Sequence, residues 1–277
     1  MMLKRMLSAA AISMVAILSA CNQTAVVPTS TDAPVAATPA KGVDQQIVYG
    51  TVSAYGSRPY QVAVLPSTRP NSAYCGGTLI GSNWVMTAAH CVYGASASSR
   101  IVRAGVYTLS NSTEGQKLNV AQIYVHPNYR SSADSYDIAL LRLSSAVTTS
   151  AAKPAALPSN SVESVLDVDG KYAVVSGWGI TESGSASDKL REVSIPISPT
   201  SGDCGSRPGN TICGKYASGK DSCNGDSGGP LAQTYNSKFY VLGIVSYGPT
   251  ECRGYGVYTR VNGYLSWIQS VSGITAQ

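Results

Sequence analysis

The stretch KDSCNGDSGGP, residues 220–230, places one serine among three glycines and directly after an aspartate. The serine is Ser227, and the glycines are Gly225, Gly228 and Gly229. Glycine weakens regular helices and strands because it has no side chain and loses more conformational freedom on folding than other residues. Three glycines so close to one serine therefore indicate that bare backbone is needed beside it.

The chain around this stretch consists of short apolar or alternating runs separated by clusters of Gly, Ser, Asn and Pro. Short runs bounded by turn-forming residues are typical of strands in β-sandwiches and β-barrels. The clearest runs are QVAVL at 61–65, LNVAQIYV at 118–125, DIALLRL at 137–143, KYAVVSGWG at 171–179 and FYVLGIVSYG at 239–248. The sequence therefore predicts an all-β fold.

One helix is predicted near the C-terminus. Asn262 is a suitable N-cap, and five apolar residues at helical spacing follow or flank it. These residues are Val261, Tyr264, Leu265, Ile268 and Val271. A Pro/Ala/Ser-rich interval at 144–162 is suited to join two β-units.

The N-terminal segment has the layout of an export signal. Lys4 and Arg5 precede an apolar run that ends in LSAC at 18–21. A basic start, a short apolar stretch and small residues before a cleavage point describe a secretory signal peptide. LSAC also resembles the lipobox of bacterial lipoproteins, which implies a signal peptide at 1–20 and a lipidated Cys21. The alternative is an ordinary signal peptide with a chance cysteine.

Residues 21–46 are rich in Ala, Thr, Pro and Ser and contain few large apolar side chains. A segment of this composition cannot bury enough surface to order itself. We therefore predict a flexible tether, and the same composition would suit a disordered pro-segment.

The chain contains seven cysteines, an odd number for an exported protein. Lipidation of Cys21 accounts for one of them and leaves the others for disulfides in an oxidising compartment. Spacing alone does not choose among their pairings. The net charge is only +5, with no Lys/Arg-rich run, so we expect no nucleic-acid binding.

Three further observations bear on chemistry, and each has a structural reading when taken alone. His90 lies in WVMTAAHC at 84–91, and a lone histidine beside a cysteine is more often structural than catalytic. Asp137 opens the run DIALLRL, and an isolated aspartate before a strand is usually a turn residue. Together with Ser227, however, they follow in the order His, Asp, Ser.

This order, with its motifs, resembles the chymotrypsin-like serine proteases of the trypsin type. The motifs are IVYG at 47–50, CGGTLIG at 75–81, TAAHC at 87–91, DIAL at 137–140, SGWG at 176–179, GDSGGP at 225–230 and GVYTRV at 256–261. The resemblance implies a protease domain at 47–277 with two six-stranded antiparallel β-barrels, at approximately 47–150 and 160–260, and a C-terminal helix. The active site is expected in the cleft between the barrels.

The resemblance implies a catalytic triad of His90, Asp137 and Ser227. A serine hydroxyl is a weak nucleophile, so His90 is expected to take its proton while Asp137 orients the imidazole ring. The N–H groups of Gly225 and Ser227 are expected to form the oxyanion hole, where a side chain at 225 would obstruct the attacked carbonyl. Ser246, on the substrate side of the cleft, matches the serine that supports the buried aspartate.

By the same resemblance, Asp221 lies at the floor of the primary substrate pocket. Gly248 and Gly256 match the pocket-wall glycines, and Tyr247 stands where the family usually has tryptophan beside the pocket entrance. A buried carboxylate favours a cationic partner, which implies cleavage after Arg or Lys. The alternative is that Asp221 is a charge on a surface loop.

The disulfides implied by the resemblance link Cys75 to Cys91, Cys204 to Cys213, and Cys223 to Cys252. No cofactor or metal is expected. The loop after Gly105 corresponds to a calcium loop in pancreatic trypsins, but it offers Glu114 and few other carboxylates, whereas calcium prefers several oxygen ligands.

IVYG at 47–50 resembles the mature N-terminus of this family. Cleavage before Ile47 would free an α-amine that pairs with Asp226. The preceding residue is Gln46, which an enzyme selective for basic residues should not cut, and the nearest basic site is Lys41. We therefore expect a latent precursor, activated by another protease or by trimming after a cut at Lys41.

The sequence thus predicts an exported trypsin-like serine endopeptidase. Cys21 would anchor it to a bacterial membrane or cell surface, and cleavage before Ile47 would release it as a soluble extracellular or periplasmic enzyme. Its expected partners are polypeptides with Arg or Lys before the cleaved bond, an activating protease and the membrane, and we expect a monomer. The alternative is a catalytically silent binding or adhesion module, a class that usually lacks a triad residue.

Overall fold

The apolar runs of the sequence form antiparallel strands with buried side chains. In the strand Gln61–Pro66 every residue before the proline is buried, and Ala139–Leu143 buries every residue except Arg142. The computed structural model describes residues 50–277 except 73, 132–134, 182, 200–203, 206, 216–221, 223, 251 and 253. The predicted signal peptide at 1–20 and the tether at 21–46 lie outside the described residues.

Thirteen strands lie in the described part of the chain. They are β1 Thr51–Val52, β2 Gln61–Pro66, β3 Cys75–Gly81, β4 Trp84–Thr87, β5 Arg100–Ala104, β6 Gln116–Val125, β7 Ala139–Leu143, β8 Tyr172–Gly177, β9 Arg191–Ser198, β10 Thr211–Lys215, β11 Pro230–Tyr235, β12 Lys238–Tyr247 and β13 Tyr255–Arg260. The five predicted runs coincide with β2, β6, β7, β8 and β12, so the strand predictions are confirmed.

The strands close into two antiparallel barrels. The first barrel has the order β2-β3-β4-β7-β6-β5. The second has the order β9-β10-β13-β12-β11-β8 and closes because β8 also pairs with β9. The short strand β1 adds to β9 outside this ring. The predicted fold of two six-stranded antiparallel barrels is therefore confirmed.

Each barrel is filled by its own inward-facing aliphatic side chains. Val62 and Leu140 are fully buried in the first barrel, and Ile197 and Leu242 are fully buried in the second. Removing such side chains from water is the main source of stability for a fold of this kind. The loops between the barrels take less part in these cores, so they can carry polar groups.

The predicted connection at 144–162 lies between the barrels, since β7 ends at Leu143 and β8 begins at Tyr172. It leads into a helix, α1 Asn160–Leu166, that the sequence analysis did not predict. The helix has 7 residues and buries Glu163 and Leu166. Two turns are too short to give a clear helical period in the sequence.

The C-terminal helix is present, but its start was predicted incorrectly. A 3₁₀ turn, Val261–Tyr264, precedes the helix α2 Leu265–Ser272. Asn262 lies inside this turn and is not the N-cap of the helix. Its side chain instead donates to the carbonyl oxygen of Pro158 at 3.2 Å. Among the described residues, neither this helix nor α1 has the length and apolar character that crossing a membrane requires.

Candidate active site

The backbone conformation of the loop around Ser227 explains why glycine occupies positions 225 and 228. Gly225 has a φ of +98°, and a Cβ there would lie 2.9 Å from the Cα of Gly179. Gly228 has a φ of +78°, and a Cβ there would lie 2.7 Å from the carbonyl oxygen of Gly76. Side-chain-bearing residues rarely adopt this backbone conformation. The structure thus gives a different reason for glycine at 225 from the predicted one, because the backbone and Gly179 already require it.

Ser227 lies where the second barrel meets the first. Its carbonyl oxygen accepts a hydrogen bond of 2.8 Å from the amide of Gly76, which belongs to β3 of the first barrel. The Sγ atom of Cys91 lies 3.6 Å from the same oxygen. Because Cys91 directly follows His90, these contacts place the Ser227 loop next to the turn that carries His90.

The pairing of β4 with β7 brings His90 and Asp137 together. Thr87 at the end of β4 lies opposite Ala139 at the start of β7, so the chain leaving β4 runs beside the chain entering β7. His90 follows in the 3₁₀ turn Ala89–Cys91. Its Nδ1 lies 2.8 Å from Oδ2 of Asp137, and its amide donates to Oδ1 at 2.9 Å. Asp137 therefore fixes both the ring and the backbone of His90.

The carboxylate of Asp137 is buried within a hydrogen-bond network. Ser246 Oγ donates to Asp137 Oδ2 at 2.6 Å, and Thr259 Oγ1 donates to the Asp137 carbonyl oxygen at 3.0 Å. Burial raises the pKa of Asp137, but the hydrogen bonds and charge of His90, with the Ser246 hydrogen bond, outweigh burial and lower this pKa below its ordinary value. Asp137 is therefore ionised at neutral pH. The His90 side chain, in contrast, is 34% exposed.

A cavity opens beside Ser227. Residues from the ends of β12 and β13 line it together with the segment before the nucleophile loop. Its lining includes Ser222, Tyr247, Gly248, Tyr255 and Gly256. The structure thus brings the predicted pocket residues Tyr247, Gly248 and Gly256 together beside Ser227. Asp221, predicted at the pocket floor, lies outside the described residues.

Most of the chain also matches a known protein family. A family model described as Trypsin matches residues 47–268. The chain belongs to the trypsin family of serine proteases. It is 36% identical over 251 residues to vitamin K-dependent protein C of Mus musculus. This alignment covers 83% of the present chain and 52% of the mouse protein. Vitamin K-dependent protein C of Rattus norvegicus is 36% identical over 249 residues, and the alignment covers 82% of this chain and 52% of the rat protein. The chain therefore spans about half the length of the curated relatives it matches.

In this trypsin-family pocket, the sequence analysis missed two hydroxyl groups. Ser222 Oγ and Tyr258 Oη lie 3.0 Å apart, and a Cβ on Gly256 would lie 2.8 Å from the same Tyr258 Oη. Ser222 was detectable because it directly follows Asp221, but nothing in the sequence singled out Tyr258. Ser222 lines the cavity, whereas Tyr258 is fully buried, so the hydroxyl pair supports the cavity wall from behind.

Asp226, the predicted activation residue, is fully buried at 0% exposure. Its Oδ1 accepts a hydrogen bond of 2.9 Å from the amide of Gly179. A Cβ on Gly179 would lie 2.6 Å from the Asp226 Cγ, so glycine at 179 leaves room for the carboxylate. A buried carboxylate requires compensating donors or charge. Ile47, predicted to supply an ammonium group, lies outside the described residues.

The structure contains the disulfides Cys75–Cys91 and Cys204–Cys213, as the family resemblance implied. Cys252 is also disulfide-bonded, and its predicted partner Cys223 lies outside the described residues, as does Cys21. The disulfide Cys75–Cys91 lies close to the His90 ring. Because both cysteines are oxidised, they offer no thiolate, and this group does not suit a metal ion.

The loop that corresponds to a calcium site in pancreatic trypsins is organised by an arginine. Arg103 is 3% exposed and donates to the carbonyl oxygens of Leu109 at 2.6 Å, Asn111 at 2.5 Å and Glu114 at 2.9 Å. The Glu114 carboxylate accepts hydrogen bonds from two backbone amides of the loop. The oxygens that could bind a cation are therefore already used, and the residues present do not fit calcium.

Proposed function

We propose that the chain is a serine endopeptidase that cleaves polypeptides after Arg or Lys. One observation carries this proposal: Ser246, Asp137 and His90 form a continuous hydrogen-bonded line, with contacts of 2.6 and 2.8 Å, and Cys91, the residue after His90, contacts the carbonyl oxygen of Ser227. Family membership supports the same reaction class. Such a line orients the imidazole and stabilises its protonated form, which a general base beside a serine nucleophile requires.

In the proposed mechanism, His90 acts as the base. Its Nδ1 is held by Asp137, which leaves Nε2 to take the proton from the Ser227 hydroxyl as the oxygen attacks the carbonyl carbon. Asp137 remains ionised and stabilises the imidazolium that forms. His90 then gives the proton to the leaving amine, and a water molecule repeats the sequence on the acyl-enzyme.

The negative charge on the attacked oxygen would be held by the amides of Gly225 and Ser227. In the described part of the chain, the amides of Gly228 and Gly229 donate to carbonyl oxygens of the protein, whereas those of Gly225 and Ser227 have no acceptor. Two amides without acceptors in one tight loop suit an oxyanion hole. One such donor contributes roughly 3–4 kcal/mol to transition-state stabilisation.

Selectivity for Arg and Lys would come from Asp221, which directly precedes the cavity-lining residue Ser222 in the sequence. The Ser222 hydroxyl supports this, because it lines the cavity and can accept a hydrogen bond from a cationic side chain. A neutral substrate would leave Asp221 buried without a partner, and that penalty is the source of selectivity.

We further propose that the chain is exported as a lipid-anchored, latent precursor. The two disulfides support an oxidising compartment. Cleavage before Ile47 would free an ammonium group that pairs with Asp226 and completes the oxyanion hole, and it would separate the domain from lipidated Cys21. Cys21→Ser should then release soluble protein or stall processing. N-terminal sequencing of active material tests the activation step, and a fully active form that begins at Cys21 would contradict it.

The proposed activity is tested with peptide amides that end in Arg, Lys, Phe or Ala, using material cut before Ile47. We expect hydrolysis after Arg and Lys, inhibition by a serine-directed reagent, and a loss of roughly 10⁴–10⁶-fold in Ser227→Ala. Asp221→Ser should abolish the preference for basic residues. A wild type that prefers Phe would contradict the pocket assignment, and a correctly cut protein with no turnover would indicate a silent binding module.

A further inference from the structure

A second cluster of charged side chains lies in the second barrel, outside the triad. Glu163 and Asp167, on and directly after α1, are each 8% exposed. Arg260, at the end of β13, forms ion pairs with both carboxylates. Arg207, before β10, interacts electrostatically with Asp167 and Arg260. Two buried acids are thus held together with two half-buried arginines.

The two arginines donate hydrogen bonds to the same two backbone carbonyl oxygens. Arg207 donates to Pro199 O at 2.9 Å and to Thr211 O at 2.5 Å. Arg260 donates to both of these oxygens at 3.2 Å. We call Arg207 and Arg260 the arginine clamp. Because Pro199 precedes and Thr211 follows the first cysteine of the disulfide Cys204–Cys213, the clamp holds the two ends of that segment.

The acids of the cluster lack one hydrogen-bond donor. Arg260 Nη1 lies 3.1 Å from Glu163 Oε1 and also bonds Asp167 Oδ2. The other two oxygens, Glu163 Oε2 and Asp167 Oδ1, are buried and have no donor among the described residues. The two carboxyl groups lie side by side, because the same Nη1 atom of Arg260 bonds both of them. A single proton held between them supplies the missing donor.

The surroundings of Glu163 and Asp167 favour the protonated form of the pair. Burial and the charge of Asp167 raise the pKa of Glu163 to about 7, although Arg260 opposes the shift. Burial also raises the pKa of Asp167, against the same arginine. The charged groups that face the pair are Arg260 from β13 and Arg207 from the segment before β10. The next charges along these elements, Asp169 and Lys215, pair with each other at 2.9 Å.

The clamp reaches the substrate cleft through Tyr247. Arg207 lies close enough to Tyr247 for an electrostatic interaction, and Tyr247 lines the cavity beside Ser227. Tyr247 also packs against the apolar group formed by Cys204, Cys213 and Val257. A change in the position of Arg207 or of the disulfide Cys204–Cys213 would therefore alter the contacts of Tyr247 at the entrance of the pocket.

We propose that Glu163 and Asp167 share one proton, and that this proton keeps the arginine clamp on Pro199 and Thr211 and thereby positions Tyr247 for substrate residues beyond the one in the primary pocket. The catalytic part of this proposal rests on the proposed function. Loss of the proton adds a second carboxylate charge, which competes with Pro199 O and Thr211 O for the guanidinium groups. Glu163 and Asp167 are thus positioning residues that never touch substrate.

The sign of the stability effect follows from linkage. The pKa of Glu163 is about 7 in the folded chain and 4.5 in its ordinary state. The folded state therefore holds the proton more tightly than the unfolded state does. This contribution to stability is complete below pH 4.5 and is lost as the pH rises through about 7.

The first experiment compares an arginine amide with the same amide preceded by several residues. We divide kcat/KM of the longer substrate by kcat/KM of the short amide. Both substrates are cleaved by the same triad, so the titration of the triad cancels in this ratio. Between about pH 6 and about pH 8, we expect this ratio to fall roughly threefold to tenfold in the wild type, mainly through KM of the longer substrate. Glu163→Gln, which keeps a donor toward Asp167 without a titrating proton, should hold the ratio constant. Asp169→Asn is the matched control and should behave as the wild type.

The second measurement is the free energy of unfolding as a function of pH, which needs no activity. The wild type should lose stability relative to Glu163→Gln as the pH rises through about 7. Equal pH profiles in the two proteins would overturn the shared proton. A confirmed stability difference with a constant substrate ratio would overturn the link to Tyr247. Failure to cleave even the short amide would instead count against the proposed function.

Discussion

The two halves of the candidate active site are held in place by different means. In the half that carries His90 and Asp137, side chains on the ends of regular strands are joined by hydrogen bonds of 2.6 to 2.9 Å. In the half that carries Ser227, the backbone itself is fixed, with positive φ angles at Gly225 and Gly228. Substitutions in the first half should therefore remove single interactions, whereas substitutions in the second should move the chain.

The difference predicts two patterns of mutational response. A side-chain hydrogen bond can be deleted while the strands β4 and β7 remain paired, so activity should fall with little loss of stability. A Cβ added to the nucleophile loop must displace backbone of the first barrel or of the Gly179 turn. Activity and stability should then fall together.

The largest effect is expected for Asp137→Asn. The amide is uncharged and can present an N–H group to His90, so the imidazole would lose its correct tautomer. We expect kcat to fall roughly 10⁴-fold, the loss seen for such a change in a serine protease triad. Steady-state kinetics and thermal unfolding measure the two responses. A fall in melting temperature as large as that of a core variant would remove the contrast between the halves.

Gly225→Ala should have the next largest effect. The φ of +98° and the distance of 2.9 Å to Gly179 both oppose a methyl group. We expect roughly 10²–10³-fold lower kcat from displacement of the oxyanion donors and about 1–3 kcal/mol of lost stability from backbone strain. Gly184→Ala is the matched control, because Gly184 has a φ of +78° with no atom within 4 Å of a Cβ. An equal loss of stability in the two variants would show that the positive φ angle, and not packing against Gly179, determines the free-energy cost of the added methyl group.

Ser246→Ala should have a smaller effect in the first half. It deletes the 2.6 Å hydrogen bond to Asp137 and leaves the two bonds from His90. A hydrogen bond to a charged group contributes about 1.5–3 kcal/mol, so we expect kcat to fall by at most roughly 10- to 100-fold. The exposed Ser144→Ala serves as control. If Ser246→Ala lowered kcat as much as Asp137→Asn, Ser246 would have a direct role and not a supporting one.

The smallest effect is expected for the loop around Arg103. Since the guanidinium already occupies the carbonyl oxygens of Leu109, Asn111 and Glu114, calcium or a chelator should leave the melting temperature unchanged. Arg103→Ala should lower it. A clear rise in melting temperature of the wild type with calcium would contradict this account of the loop.

The sequence predicted what depends on local pattern. Alternating and apolar runs gave the strands, and the motifs around His90, Asp137 and Ser227 gave the candidate site. The helix α1 was missed because its 7 residues show no period, and Asn262 was assigned as a cap because a 3₁₀ turn and an α-helix look alike in sequence. The cluster of Glu163 and Arg260 could not be predicted, since 97 positions separate these residues and only the fold joins them.

The buried arginine has a consequence for how the loop at 105–115 depends on its surroundings. A loop held by a metal ion is ordered only while the ion's concentration exceeds its dissociation constant. Arg103 is part of the chain, so its positive charge has no dissociation equilibrium and cannot be diluted or exchanged. The order of this loop therefore does not depend on the concentration of a bound ion.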